Sequence, residues 1–509
     1  MNAVAAVVAV VLVSLVTLGV GAFGLRFSRT TSDFYVASRA VGPAANAAAI
    51  SGEYLSAASF LGVAGLVVAR GADMLWYPVG WTAGYLLLLL YVAAPLRRSR
   101  AYTLPDFAEF RLESPSARGL ASAFVVLIAV LYLIPQFRGA GLTLGILTGA
   151  PSWVGSGIVA LVVLLSVIAG GMRSITLVQA VQYWIKLVAL LVPLAILLGR
   201  LHGGAGGATS RLQEADWLEP MRGPHSLYLT YSLIVALFLG TMGLPHVVVR
   251  FYTNRDGHNA RRTTVSVLVL LSVFYLLPPV YGVLGRRFLG DLSVTGSGAN
   301  STDTAILDLP RHLLGGSGAD LVAAVLAAGA FAAFLSTSSG LVLSIAGVLG
   351  QDVLGRWFAP VTAFRLAGVA GAAGTLVLTL LTTGLAVAHA VELAFAVAAS
   401  TFCPLLLLGI WWRGLTAIGA VAGMAVGGAL SGSAVLAVMA GAAPSGAAGA
   451  VLSQPAMVTV PVAFAVMAGV SLATRSRLPL HLSRTMVRLH TPEAVEVDRG
   501  GFRPRGALD

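Results

Sequence analysis

The chain has 509 residues, 10% of them charged, and a mean hydropathy of +0.89. That balance excludes a water-soluble protein, because its apolar runs exceed what a soluble core can bury. The formal net charge of +12 would point to nucleic acid in a soluble chain, but here the arginines fall in the connections between apolar runs. There they set membrane topology and attract anionic lipid. The single cysteine, Cys403, excludes an intramolecular disulfide framework. No Cys/His cluster with metal-ligand spacing, no P-loop and no GxSxG element occurs, so nothing in the sequence points to an enzyme.

In chain order, residues 3 to 23 form an apolar run with no positive segment before it, long enough to be a retained helix rather than a cleaved signal. Further spans are expected near 42 to 69, 76 to 96, 119 to 145, 152 to 170, 176 to 199, 226 to 249, 264 to 285, 319 to 347, 363 to 383, 389 to 411, 415 to 440 and 455 to 474, thirteen in all. An odd count places the termini on opposite sides. Twenty-two basic residues lie in the C-terminal tail and the connections on its side, against seven on the other. The positive-inside rule therefore puts the N-terminus outside and the tail in the cytoplasm. The connections 200 to 225 and 286 to 318 are long enough for short helices or a lid, and the tail, 475 to 509, reads as disordered or lipid-associated. Trp76, Trp81, Trp411 and Trp412 read as an interfacial belt.

Two spans look interrupted. The one opening at Pro43 carries Ile50-Ser51-Gly52-Glu53, with small residues and a carboxylate at membrane depth, and the one at 226 to 249 carries Gly240-Thr241-Met242-Gly243-Leu244-Pro245. They are second and seventh of thirteen, the spacing of two inverted five-helix repeats that each open with a broken helix. Broken helices at that depth survive where they line a cavity and their freed carbonyls find a partner. A third stretch, Phe331 to Ser344, places Ala333, Ser336, Thr337, Gly340 and Ser344 on one helix face. Such a face either packs closely against a neighbouring helix or offers neutral oxygens to a cation.

Four stretches, SGEYLSAASFLG (51 to 62), YTLPDFAEFR (102 to 111), GGMRSITLVQAVQ (170 to 182) and GLPHVVVRF (243 to 251), together with FLSTSSG, resemble the sodium:solute symporter family, and within it the acetate and monocarboxylate branch. The resemblance implies an all-α membrane protein of the leucine-transporter type. Residues 1 to 40 would hold an extra helix and loop, 41 to 411 a ten-helix transport core, 412 to 474 two further helices and 475 to 509 the basic tail. It also implies a Na⁺ site with backbone carbonyls of Ser51, Tyr54 and Ala333 and the hydroxyls of Ser336 and Thr337 as ligands. Ser338 and Ser339 keep the packing role. Glu53 stands where many members have Asp or Asn, and Gln179 where some carry an acid. Gly240 replaces an aromatic residue of the sugar-transporting members, which argues against a sugar.

A carboxylate substrate at membrane depth needs a positive partner or convergent donors. Arg138, which could bind it with two parallel hydrogen bonds or else pair with Glu53, is the first candidate; Gln136, Glu53, Gly240 and the half-helix start after Gly52 complete the expected pocket. Lys186, the only lysine, reads as a structural or interfacial residue, and His246 as a connection residue. The expected activity is inward symport of Na⁺ with a small monocarboxylate such as acetate, propionate or pyruvate across the cell's inner (plasma) membrane. Besides the substrate, the coupling ion and lipid, no cofactor, nucleic acid or obligate protein partner is implied. Two rivals keep the fold: a proton symporter using Glu53, and a sodium symporter for another small solute such as an amino acid. A sensor is disfavoured because the tail carries no signalling module.

Overall fold

The computed structural model describes residues 3–24, 26, 37, 41–202, 217, 219–221, 225–289, 302–382, 387–493 and 495. Among them no strand occurs, and eleven helical segments are long and apolar enough to cross a membrane. The two longest of these are Ala58–Ser99, with 42 residues, and Ser152–Leu201, with 50. At 1.5 Å per residue the second would be about 75 Å long if straight, against a hydrocarbon core of about 30 Å. It is broken at Gly171, whose φ of 55° and ψ of −155° only glycine adopts without strain.

The helices in order are α1 (Ala3–Gly24), α2 (Pro43–Tyr54), α3 (Val63–Arg70), α4 (Trp76–Leu87), α5 (Ala93–Ser99), α6 (Leu104–Leu112), α7 (Pro115–Thr148), α8 (Ser152–His202), α9 (Ser226–Gly243) and α10 (Pro245–Val249). There follow α11 (Gly257–Tyr275), α12 (Leu277–Phe288), α13 (Ala305–Leu313), α14 (Gly316–Asp352), α15 (Pro360–Leu381), α16 (Val387–Trp411), α17 (Ala417–Met439), α18 (Ala447–Ser453), α19 (Ala456–Ala473) and α20 (Leu482–His490). α14 is the structural centre, packed against α8, α7, α15, α1 and α2. From Phe331 to Val348 every one of its residues is buried, so its hydroxyls face protein on all sides.

Both expected interruptions occur, the first displaced a few residues along the chain and the second within the expected stretch. α2 continues through Ser51-Gly52-Glu53 and stops at Leu55 (φ −72°, ψ 84°); a π-helical turn, Ala58–Gly62, then leads into α3. α9 stops at Leu244, extended at φ −70° and ψ 116°, the conformation that a following proline favours. Pro245 then starts α10, where its missing N–H costs nothing.

Two expectations change on the periphery. Trp81 belongs to the core, 1% exposed, rather than to an interfacial belt. Within the tail, Leu482–His490 is a helix that buries Thr485, Met486 and Leu489 and packs on α5. Most of the connection 200 to 225, residues 290 to 301 and the tail beyond 495 lie outside the described residues.

Candidate functional site

The break in α2 lies against α8, α14 and the α9–α10 junction. Close approach of α2 to α8 depends on Gly52, where a Cβ would come within 2.1 Å of the Gln179 carbonyl oxygen. Glu53 next to it is buried, and its Oε2 accepts from Nε of Arg250 at 2.5 Å. The same guanidinium donates to the Thr176 hydroxyl at 2.8 Å and to Oε1 of Gln179. Gln179 then donates through Nε2 to the Ser336 carbonyl at 2.8 Å. Oε1 of Glu53 is buried without a hydrogen-bond partner and fits over Gly340, where a Cβ would sit only 1.8 Å away. One carboxylate thus joins α2 to α8, α10 and α14.

The α14 side of the expected cation site meets the α2 break, but a side chain lies there, and the α2 carbonyls it holds are not the expected ones. The ammonium of Lys186, projecting from α8, donates to the Gly52 carbonyl, to the Leu55 carbonyl at 2.7 Å and to Oγ of Ser336 at 2.8 Å. The α2 carbonyls turned inward are therefore those of Gly52 and Leu55. The Ser51 carbonyl accepts from the Leu55 amide at 3.0 Å within the helix end. Tyr54 contributes a phenol that pairs with the Thr241 hydroxyl at 2.9 Å. On α14, Ser336 Oγ donates to the Ala333 carbonyl at 3.1 Å, and Thr337 Oγ1 to the Glu53 carbonyl at 2.5 Å. Lys186, read from sequence as structural or interfacial, is fully buried, which removes the interfacial alternative.

The expected substrate residues divide into two places. Gln136 and Arg138, two positions apart on α7, serve different sites. Oε1 of Gln136 accepts from the Ala57 amide at 3.2 Å, inside the α2 break, and its Nε2 is buried with no partner. Arg138 lines a cavity of about 200 Å³ with Pro135, Leu381, Thr382, Ala390 and Val435, and the charge it senses is Asp303, not Glu53. Burial pushes the Asp303 carboxyl up to about 6, against the opposing pull of Arg138 and a 3.1 Å hydrogen bond from the Val387 amide. Gly240 packs directly on the Phe395 carbonyl, 2.5 Å from where its Cβ would be.

Aromatic rings surround the break. Trp81 stacks on Tyr275 with centroids 5.8 Å apart and approaches Phe395 at 6.1 Å. Tyr132 contacts Phe395 and the fully buried His246. Tyr275 pairs with Ser59 at 2.9 Å, and the Trp81 carbonyl accepts from the Tyr54 hydroxyl at 3.3 Å, while the Trp81 indole N–H is buried without an acceptor. Further along α4, the Tyr77 hydroxyl donates to Oε2 of the buried Glu392 at 2.6 Å, and His389 approaches it at 3.3 Å. Tyr77 and His389 also line a cavity of about 440 Å³ with Arg70, Asp73 and Glu219.

Lys186, Arg250, Trp81 and the Tyr77–Glu392 pair were not assigned to the site by sequence reasoning. The signals present were an isolated lysine and an arginine ending a membrane-depth motif, since a buried charge in a span is costly unless paired.

Interrupted membrane-length helices packed around a buried polar centre are the kind of architecture a membrane transporter uses. A model of the sodium:solute symporter family matches residues 34–427, and the chain belongs to that family. Relatives include the uncharacterized symporter YwcA of Bacillus subtilis (strain 168), 32% identical with 88% of this chain and 90% of that protein covered. A monocarboxylic acid transporter of Corynebacterium glutamicum is 31% identical, with 86% of each chain covered. Among solved structures, a Na⁺-coupled sialic acid symporter in a substrate-bound, outward-open state aligns with TM-score 0.69 at 15% identity, over 91% of this chain and 97% of that one. The nucleobase-cation-symport-1 family transporter Mhp1, in a closed conformation, aligns with TM-score 0.53 at 13% identity, over 89% and 98%. The protein is thus a symporter rather than an enzyme.

Proposed function

We propose that this symporter carries a small monocarboxylate, of the size of acetate, propionate or pyruvate, into the cell together with a cation by alternating access. Two buried donors without acceptors at the α2 break, Nε2 of Gln136 and the Trp81 indole N–H, carry this reading. Such donors are costly unless a ligand satisfies them, and a carboxylate accepts from both. Trp81, Tyr132, Tyr275 and Phe395 offer apolar faces to a short alkyl chain. Similarity to a monocarboxylic acid transporter supports the same substrate class. Arg138 and the cavity beside it would lie on a route to the pocket rather than in it.

The two longest segments each count as a pair of spans in this reading. The chain then has thirteen spans, with 41 to 411 as the inverted-repeat core, the N-terminus outside and the C-terminus in the cytoplasm of a cell whose inner membrane it spans. For the coupling cation, Na⁺ is what the family implies, with Ser336 and Thr337 as its hydroxyl ligands. A specific observation favours a second ion, the proton: an ammonium already lies among those oxygens. Uptake of labelled acetate, propionate and pyruvate into proteoliposomes tests the substrate class, and Gln136→Leu should weaken it. Hydrogen bonds to charged groups contribute about 1.5–3 kcal/mol, so the apparent affinity should fall about 10- to 150-fold.

A further inference from the structure

We propose that the ε-ammonium of Lys186 is the resident cation of this site and that its proton, rather than Na⁺, is the ion moved with the substrate. The proposal deepens the symport reading above and rests on it for the transport cycle, though not for the occupancy of the site.

The donor count comes first. A lysine ammonium has three N–H bonds and accepts nothing. Here all three are used, on the Gly52 carbonyl, the Leu55 carbonyl and Ser336 Oγ. Of the other expected ligands, the Ala333 carbonyl accepts from Ser336, the Ser51 carbonyl accepts from the Leu55 amide, and the Thr337 hydroxyl donates to the Glu53 carbonyl. A sodium ion at that point would need the Gly52, Leu55 and Ser336 oxygens that the ammonium already holds. It would also sit at contact distance from a like charge, which disfavours it strongly where no water screens the two.

Charge balance at the midplane gives the coupling rule. Of the elements packed on α8 around Lys186, α2 contributes Glu53, whose partner is Arg250 from the α10 end. α12 contributes Tyr281, whose hydroxyl donates to the Leu190 carbonyl, and α8 itself Tyr183, whose hydroxyl donates to the Leu270 carbonyl. The facing stretch of α14, residues 331 to 344, and the whole of α1 carry no titratable side chain. With Lys186 protonated, the cluster holds two cations and one anion, a net charge of one that an incoming carboxylate neutralises. With the amine neutral, Glu53 and Arg250 balance each other and the empty pocket is neutral. Carboxylate and proton are therefore favoured together or not at all, and the pair moves no net charge.

Deprotonation also changes the packing. The ammonium gives its proton to water on the inward side and becomes an amine with two N–H donors and one lone pair. Of the three oxygens it held, one then loses its donor and faces that lone pair. The α2 break is thereby loosened from Ser336 of α14, the two elements whose separation opens the site. Reprotonation from outside restores the tie.

The test uses the purified full-length protein, with ²²Na⁺ and labelled pyruvate as probes. Wild type should retain no ²²Na⁺ above a choline control and should accumulate pyruvate in proteoliposomes under an inward proton gradient with Na⁺ absent. Lys186→Ala should lose that accumulation to the level of empty liposomes and, with the ammonium gone from its oxygen shell, should retain ²²Na⁺. A role of Lys186 in stability alone would not switch ion preference. Retention of ²²Na⁺ by wild type, or proton-driven accumulation by Lys186→Ala equal to wild type, overturns the proposal. If no gradient drives pyruvate, the carboxylate reading fails, and ²²Na⁺ retention still decides the lysine: none in wild type supports the proposal, equal retention in both proteins overturns it.

Discussion

Removing Arg250 from its pair with Glu53 is a perturbation whose size follows from the structure. The two side chains are 0% and 2% exposed and 2.5 Å apart. Arg250→Met strands a buried carboxylate and also takes a donor from Thr176 and from Gln179. One-sided removal of a buried pair costs about 3–5 kcal/mol. At an unfolding entropy of ~2.1 cal/mol/K per residue, a chain of 509 residues shifts its midpoint by ~1 °C per kcal/mol, so a fall of ~3–5 °C is expected. Glu53→Leu combined with Arg250→Met removes both charges and should recover most of that loss, because apolar replacement of a buried pair is often close to neutral. Thermal unfolding followed by tryptophan fluorescence in detergent measures wild type, the two single variants Arg250→Met and Glu53→Leu, and the double variant. The reasoning is refuted if Arg250→Met melts within ~1 °C of wild type, or if the double variant loses the sum of its single losses.

Gly340→Ala should abolish transport and lower the melting midpoint, because its methyl group would occupy the position of Glu53 Oε1; proteoliposome uptake and unfolding scans check both. Ser338→Ala, by contrast, removes a buried hydroxyl that has no hydrogen-bond partner and should leave stability unchanged or raise it by up to about 1 kcal/mol in the same scans. Asp303 should make stability depend on pH. Its folded value, raised by burial to about 6 from 3.8, means that the folded chain binds the proton more tightly. That contribution is complete below about 3.8, is lost as pH rises through about 6, and amounts to ~3 kcal/mol. Asp303→Asn should flatten the melting profile across that window, and an unchanged slope would remove Asp303 as its source.

The helical architecture was legible because hydropathy and length report membrane spans directly. The proline after Leu244 marked the second break nearly to the residue, whereas small residues marked the first a few positions early: the helix carries Ser51 and Gly52 without stopping and gives way at Leu55. The face of α14 was legible as a set of residues, since helical periodicity fixes which side chains share a face; Ser336, Thr337 and Gly340 meet Lys186 and Glu53 there. Its occupant was not legible. The bonds from Lys186 to α2 and α14 join residues 131 to 150 positions apart, and Arg250 reaches Glu53 across 197, separations that no local pattern encodes. Arg138 shows the converse. Two positions from Gln136, it faces away from the break because successive helix residues differ by about 100° in direction, too fine a distinction for a span located by hydropathy.

The most direct measurement of the central claim is accumulation of labelled pyruvate by the purified protein in sealed proteoliposomes under imposed cation gradients. The account predicts concentrative uptake under an imposed inward cation gradient, a proton gradient sufficing without Na⁺, inhibited by acetate and propionate and insensitive to glucose or leucine. Absence of concentrative uptake under either gradient, or stronger inhibition by a neutral sugar or an amino acid than by the short carboxylates, would contradict it.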